Sequence, residues 1–226
     1  MLGLLSIPCM IPTQLYRDNS PTGRETSAMA LEIILYEYGP SRSKQVRWAL
    51  LELGLEFDAV SGIELLHSDE LKKINPMGKV PAVLINGEPL FEAAAICTYL
   101  ADLAPERSLI AASGTRERAL HLQWVSFALT EMEAYLWSNA RNTFVLPEEH
   151  RITALFKQNS KAFMHAAKIL DKTLAESDYL IGNRFSITDI LVGFTVNWGN
   201  MSGLLEQTPN LQNYLERLKA RDHCPL

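Results

Sequence analysis

Residues 75–92, Asn-Pro-Met-Gly-Lys-Val-Pro-Ala-Val-Leu-Ile-Asn-Gly-Glu-Pro-Leu-Phe-Glu, restrict the fold more than any other stretch of this chain. Val83-Leu84-Ile85 is a compact β run, and Asn86-Gly87 is the dipeptide favoured by two-residue hairpin turns with positive φ. Pro89-Leu90-Phe91 begins the returning strand. Pro81 stands at the entrance of the first strand, where its missing N–H is tolerated. Apolar residues recur at helical spacing from Glu92 onward, so the hairpin hands the chain to a helix N-terminus.

Upstream of the hairpin, Leu31–Tyr36 is a near-continuous apolar run, the signature of a strand covered on both faces. Tyr38-Gly39-Pro40-Ser41-Arg42-Ser43 reads as a loop. Val46, Ala49, Leu50 and Leu53 follow at helical spacing, and Gly54 suits the residue after a helix end. Glu56–Val60 offers a second strand, so strand, helix and strand form a right-handed βαβ unit with parallel strands. With a short helix near Asp69–Ile74 and another over about Ala93–Leu103, the order becomes βαβαββα, that of a thioredoxin-like domain.

Beyond Pro105 everything reads as helix. Leu120, Trp124, Phe127 and Met132 mark one long helix, followed by a polar break at Ser138–Thr143. Pro147-Glu148-Glu149 is a favourable first turn for the next helix, whose apolar side continues through Ile152, Phe156, Phe163, Leu170 and Leu174. Ser186-Ile187-Thr188-Asp189 predicts a capped helix start, with Ser186 accepting from the N–H of Asp189 and with Phe185 and Ile190 placed as a hydrophobic staple. That helix runs to about Asn200, and a last one follows Pro209 to about Arg221. The fold class is α/β: a thioredoxin-like domain over 31–106, a linker over 107–114 and an all-helical domain over 115–226.

The 226 residues can bury a sizeable core. A formal charge of −5 with scattered Lys and Arg disfavours a nucleic-acid partner. Cys9, Cys97 and Cys224 have no metal-ligand spacing and cannot all pair, which suits a reducing, cytoplasmic setting. No apolar run approaches the roughly 20 residues that span a membrane. Residues 1–30 are expected to be a weakly ordered extension, with Met29 as a candidate biological start because Met29-Ala30-Leu31 directly precedes the first strand.

Asn75-Pro76-x-Gly78-Lys79-Val80-Pro81, the hairpin, Glu92, and then Ala95-Ile96-x-x-Tyr99-Leu100 together resemble the glutathione-binding half of a soluble, bacterial-type glutathione transferase. The resemblance extends over nearly the whole chain beyond residue 30. It implies a cis Val80–Pro81 bond, with the Val80 backbone pairing with the cysteinyl backbone of glutathione as an added strand. It also implies that the helix start at Glu92 holds the γ-glutamyl end. The family places a Glu-Ser pair there, whereas this chain has Glu92-Ala93. Glu92 can still meet the amino group and the Ala93 N–H the carboxylate, but the serine hydroxyl is missing. A hydrogen bond to a charged group contributes roughly 1.5–3 kcal/mol, so an uncompensated loss weakens binding about ten- to a hundredfold.

The serine-using classes of that family activate the thiol with a hydroxyl in the loop before the first helix. Ser41 and Ser43 are the candidates. Ser41 lies deeper in the loop and is preferred, with Ser43 as helix N-cap; Tyr36 or Tyr38 is a weaker option. The loop carries no cysteine, so bound glutathione must supply any redox sulfur. Lys79 and His67 could each meet the glycyl carboxylate, or be an ordinary loop lysine and surface histidine. Trp137, Arg141, Phe144 and Trp198 could line the pocket of a second substrate, or the aromatics could pack in the core, and Cys97 reads as a buried, inert thiol. The implied function is a metal-free, homodimeric detoxification enzyme that conjugates the glutathione thiolate to a small apolar electrophile. The alternatives are a non-catalytic regulatory or interaction protein, or a specialised glutathione-dependent isomerase, dehalogenase or disulfide reductase.

Overall fold

A computed structural model describes residues 31–226. Cys9, the expected amino-terminal extension and the candidate start at Met29 lie outside the described residues.

Four strands, β1 (Ile33–Glu37), β2 (Asp58–Ser61), β3 (Ala82–Ile85) and β4 (Glu88–Phe91), form a mixed sheet in the order β2-β1-β3-β4. β1 runs parallel to β2 and antiparallel to β3, and β3 and β4 form the hairpin. Asn86 and Gly87 have φ of 51° and 81°, the two left-handed residues that a tight hairpin with right-twisted strands requires. β1 is the central strand and buries Ile33, Leu35 and Tyr36, whereas β2, at the edge, is exposed along its length.

Helices α1 (Ser43–Leu53) and α3 (Ala93–Leu103) pack together on one side of the sheet. α2 (Asp69–Ile74) helps cover a separate cluster of Tyr36, Leu65, Leu71, Ile74 and Ala82. Gly54 ends α1 at φ 64°, and its N–H returns to the carbonyls of Leu50 and Leu51. The observed order β1-α1-β2-α2-β3-β4-α3 matches the expected βαβαββα.

The remainder is helical: α4 (Arg116–Phe127), α5 (Ala134–Ala140), α6 (Phe156–Thr173), α7 (Ile187–Met201) and α8 (Pro209–Lys219). π-helical turns at Ala128–Glu133 and Arg141–Val145 join α4 and α5 and extend them as one helical run. The polar break expected at Ser138–Thr143 is therefore absent. Asn142 Nδ2 donates to the Ser138 carbonyl at 2.9 Å and Thr143 Oγ1 to that of Asn139 at 2.8 Å, so these side chains bond back onto the preceding turn. Asn159 also donates to Asn139 Oδ1, tying α6 to α5. The next helix begins at Phe156 rather than Pro147. Glu148–His150 makes a single 3-10 turn, after which Arg151 is extended and Ile152 lies 56% exposed.

One apolar core runs from Trp48, Leu50 and Ile96 beneath the sheet into Met132, Phe163, Ile190 and Tyr214 of the helical part. Gly199 makes this packing possible, because a Cβ there would stand 2.1 Å from the Phe163 ring. At the start of α7, Ser186 and Asp189 form a capping box. The Ser186 N–H and hydroxyl both donate to Asp189 Oδ2, each at 2.9 Å, so the hydroxyl gives a hydrogen bond to the carboxylate. Asp189 is fully buried and also accepts from the Leu180 N–H and the Tyr214 hydroxyl. Burial pushes its carboxyl up from the ordinary aspartate range, and these donors oppose the shift.

Candidate active site

The strand register decides which loops meet. Tyr36, next to last in β1, pairs with Ala82 at the start of β3, and Ala82 pairs with Phe91 at the end of β4. The chain therefore leaves β1 toward Ser41, enters β3 from Val80-Pro81 and leaves β4 toward Glu92 at one end of the sheet. α1 and α3 both begin there, so two helix N-termini with partial positive charge flank the Val80 loop. Among the described residues the first N–H groups of α3 have no partner, whereas those of Ser43, Lys44 and Gln45 in α1 are bonded to Ser41 and Arg42.

The Val80–Pro81 bond is cis. Val80 is half-buried, and among the described residues neither its N–H nor its C=O has a hydrogen-bond partner. Asn75, 5% exposed, shapes the approach. Its Nδ2 donates to the Lys79 carbonyl at 2.7 Å, its Oδ1 accepts from the Met77 N–H, and its carbonyl accepts from the Gly78 N–H. Gly78 has φ 61°, and a Cβ there would lie 2.9 Å from the His67 Cα. The His67 N–H donates to the Gly78 carbonyl, which brings the exposed His67 against the loop carrying the exposed Lys79.

On α1, Ser43 is the first helical residue and Arg42 occupies the cap position. The expected capping role of Ser43 is taken instead by Ser41, whose Oγ accepts the Ser43 N–H at 3.1 Å. The Ser41 hydroxyl donates to Ser43 Oγ at 2.8 Å. Ser43 is 1% exposed and Ser41 half-buried, so Ser41 is the member of the pair that a ligand can reach. Tyr36 lies instead in the cluster under α2, and burial, reinforced by nearby Glu70, raises its phenol pKa. Tyr38 is half-buried.

On α3, Glu92 precedes the helix at φ 73° and ψ 113°, a left-handed-side conformation that is strained for a residue with a side chain. It is exposed, its carbonyl accepts from the Ile96 N–H, and Ala93 opens the helix 6% exposed.

The helical part reaches this loop through Arg42. Its Nε–H donates to Glu133 Oε1, and its guanidinium carbon lies 5.4 Å from the ring centre of Trp137 and 5.8 Å from that of Trp198. Glu133 is 4% exposed and accepts from Thr195 Oγ1 at 2.8 Å. Trp137 and Trp198 thus both lie beside Arg42. Arg141 and Phe144 are exposed, Phe144 by 82%, and no hydrogen bond, ion pair or ring contact joins them to Arg42.

Sequence reasoning missed Arg42 and Glu133, whose pairing spans 91 positions and leaves no local signal. It also missed His121. That ring is 2% exposed and bridges Thr98 Oγ1 and Thr188 Oγ1, each at 3.0 Å, joining α3, α4 and α7. Burial lowers its pKa to about 4. Cys97 is fully buried, with its thiol pKa raised by burial. Among the described residues no cluster of His, Cys, Asp and Glu could hold a metal, and no helix is long and apolar enough to cross a membrane.

Residues 31–102 match the glutathione S-transferase N-terminal domain, and residues 120–222 match the glutathione S-transferase C-terminal domain. Glutathione S-transferase GstA of Escherichia coli O157:H7 is 28% identical over 184 residues, covering 76% of this chain and 88% of its own length. Disulfide-bond oxidoreductase YfcG of Escherichia coli K12 is 31% identical over 160 residues, covering 67% of this chain and 72% of its own. A sphingomonad glutathione S-transferase solved in complex with glutathione superposes with a TM-score of 0.74 at 27% identity, covering 84% of this chain and 94% of that one.

Proposed function

Because the chain belongs to the glutathione S-transferase family, we propose that it conjugates the thiolate of glutathione to a small electrophile. The observation that carries this reading is the unpartnered Val80 backbone beside a cis proline, set between two helix N-termini. An extended peptide adds to such a backbone edge through its own N–H and C=O. The γ-glutamyl amino group then meets Glu92 and its carboxylate the start of α3, with Lys79 and His67 at the glycyl end.

The thiol faces the start of α1. A free thiol has a pKa near about 8.5, and a helix N-terminus together with a hydroxyl donor lowers it. The Ser41 proton is directed at Ser43 in the structure. If the Ser43 hydroxyl turns to donate to Ser41 Oγ, that proton is released toward the sulfur. Ser41 is then the activating donor and Ser43 the residue that positions it. The thiolate attacks an electrophile held against Trp137 and Trp198, and proximity and thiolate stabilisation share the rate enhancement. In this reading the enzyme acts as a cytoplasmic homodimer in detoxification; sedimentation velocity tests the dimer.

Calorimetric titration with glutathione, paired with a thiol-conjugation assay on wild type and Ser41→Ala, tests the reading. Binding with turnover that depends on Ser41 supports it, and no binding at millimolar glutathione overturns it. Ala93 favours a second reading, a regulatory or interaction protein that kept the fold after losing tight glutathione binding. Similarity to YfcG and the cysteine-free loop favour a third, disulfide exchange through the sulfur of glutathione itself.

A further inference from the structure

The second-substrate side of this site contains a guanidinium with one edge unused. Arg42 donates through Nε alone, to Glu133, and Glu133 divides itself between Arg42 and Thr195. Among the described residues no acceptor meets Arg42 Nη1 or Nη2, although the side chain is only 36% exposed. The rings of Trp137 and Trp198 lie beside the guanidinium carbon, and Ser41 precedes Arg42 in the chain. A guanidinium offers its donors in a planar fork that fits a carboxylate through two parallel hydrogen bonds, and it stacks on aromatic faces. With Nε held by a buried acid, the Nη1–Nη2 edge is fixed in direction before any ligand arrives, so little further ordering is required on binding.

We propose that Arg42 selects electrophiles bearing a carboxylate or similar planar anion on an aromatic ring, with the anion on the Nη1–Nη2 edge and the ring against Trp137 or Trp198. This rests on the conjugation reading above and narrows its substrate from apolar electrophiles in general to aromatic acids. For a chloronitrobenzoate, the glutathione thiolate forms a C–S bond at the ring carbon bearing chlorine. The C–Cl bond breaks and chloride leaves with the bonding pair. The thiol proton passes to solvent, and no oxidant or reductant is needed.

Two measurements separate this proposal from the reading beneath it. The first is calorimetric binding of unreactive para-nitrobenzoate against para-nitrobenzamide to the full chain, which needs no turnover. The benzoate is expected to bind about tenfold more tightly than the amide, a preference that Arg42→Gln abolishes and Arg42→Lys, which keeps the charge but not the fork, retains in part. The second is kcat/KM for a chloronitrobenzoate against its primary amide, each divided by its uncatalysed rate with glutathione. The acid is again expected to be favoured about tenfold in wild type. Equal binding of acid and amide by wild type overturns the anion site, and conjugation of both electrophiles at equal corrected rates overturns it while leaving the conjugation reading intact. Binding of the benzoate through Arg42 without conjugation of either electrophile overturns the conjugation reading, and the substrate role of Arg42 with it.

Discussion

Arg42 and Glu133 bind across 91 positions of sequence, and the arginine lies between the two candidate serines while the acid is buried in the helical part. The pair thus pins the loop before α1 to the helices that face it. Removing one partner of a buried pair costs about 3–5 kcal/mol, and the partial exposure of Arg42 reduces this. Glu133→Gln, which retains an acceptor for Thr195, is expected to lower stability by about 1–2 kcal/mol in urea denaturation. It is also expected to lower kcat more than glutathione affinity. An unchanged denaturation midpoint would show that the pair does not fasten the loop.

Ser41 and Ser43 are expected to separate by the size of their effects. Ser41→Ala removes the proposed donor to the sulfur, a hydrogen bond to the thiolate, and is expected to reduce conjugation about ten- to a hundredfold. Ser43→Ala removes only the group that orients Ser41 and is expected to cost less than about tenfold. The pKa of the bound thiol, read from thiolate absorbance, is expected to rise in both variants and further in Ser41→Ala. A larger loss from Ser43→Ala would exchange their roles.

The parts of the fold that were legible are those fixed by local chemistry. Asn86-Gly87 makes the hairpin, Gly54 ends α1, and Ser186 with Asp189 sets the start of α7, each within four residues of chain. The misread parts depended on tertiary partners. Ser138–Thr143 is polar enough to suggest a loop, but Asn139 and Asn142 spend their side chains on Asn159, Ser138 and Ile152. Around the candidate site, the motifs at Val80-Pro81 and Glu92 made legible the cis bond and the helix start that follow from them. Glu133 and His121 show nothing locally that distinguishes them from surface residues of a helix.

His121 gives the helical interface a pH dependence of known sign. Thr98 gives its proton to the Ala94 carbonyl, so it accepts from His121 Nε2, and Nδ1 accepts from Thr188. The neutral imidazole satisfies both contacts. Its pKa of about 4 in the folded protein lies below the ordinary 6.5, chiefly because burial penalises the charged ring. The unfolded chain therefore binds a proton first as pH falls. The contribution is fully present above pH 6.5 and drains away toward pH 4, by about 3 kcal/mol in all. Urea denaturation across this range should show wild type losing that much more than His121→Gln. Parallel curves would mean that the histidine charges freely in the fold.

Asp189 is expected to be the costliest single carboxylate to remove. Asp189→Ala leaves the Leu180 N–H and the Ser186 N–H and hydroxyl without their acceptor in a fully buried place, and leaves the Tyr214 hydroxyl only the carbonyl of residue 189 at 3.4 Å. Each orphaned group costs about 1–3 kcal/mol unless water reaches it, so a loss above about 3 kcal/mol is expected. Ser186→Ala, which removes only one hydroxyl, should cost about 0.5–2 kcal/mol. Thermal denaturation of the two variants side by side checks the order.

Ala93 is where this chain departs from the Glu-Ser pair of the family pattern, and restoring the serine asks whether the start of α3 binds an anion at all. Ala93 is 6% exposed at the first position of the helix, so a hydroxyl adds little bulk and points among unpaired N–H groups. With a carboxylate bound there, Ala93→Ser supplies a hydrogen bond to a charged acceptor and is expected to tighten glutathione binding about tenfold in calorimetry. Without one, the hydroxyl gains no charged acceptor, and affinity stays where it was. γ-Glutamyl ester analogues complete the comparison, since they lack the carboxylate charge and should gain far less from the serine than glutathione does. Equal gains for ester and acid would place the γ-glutamyl end away from α3, and the orientation of the tripeptide along Val80 would then have to be reversed.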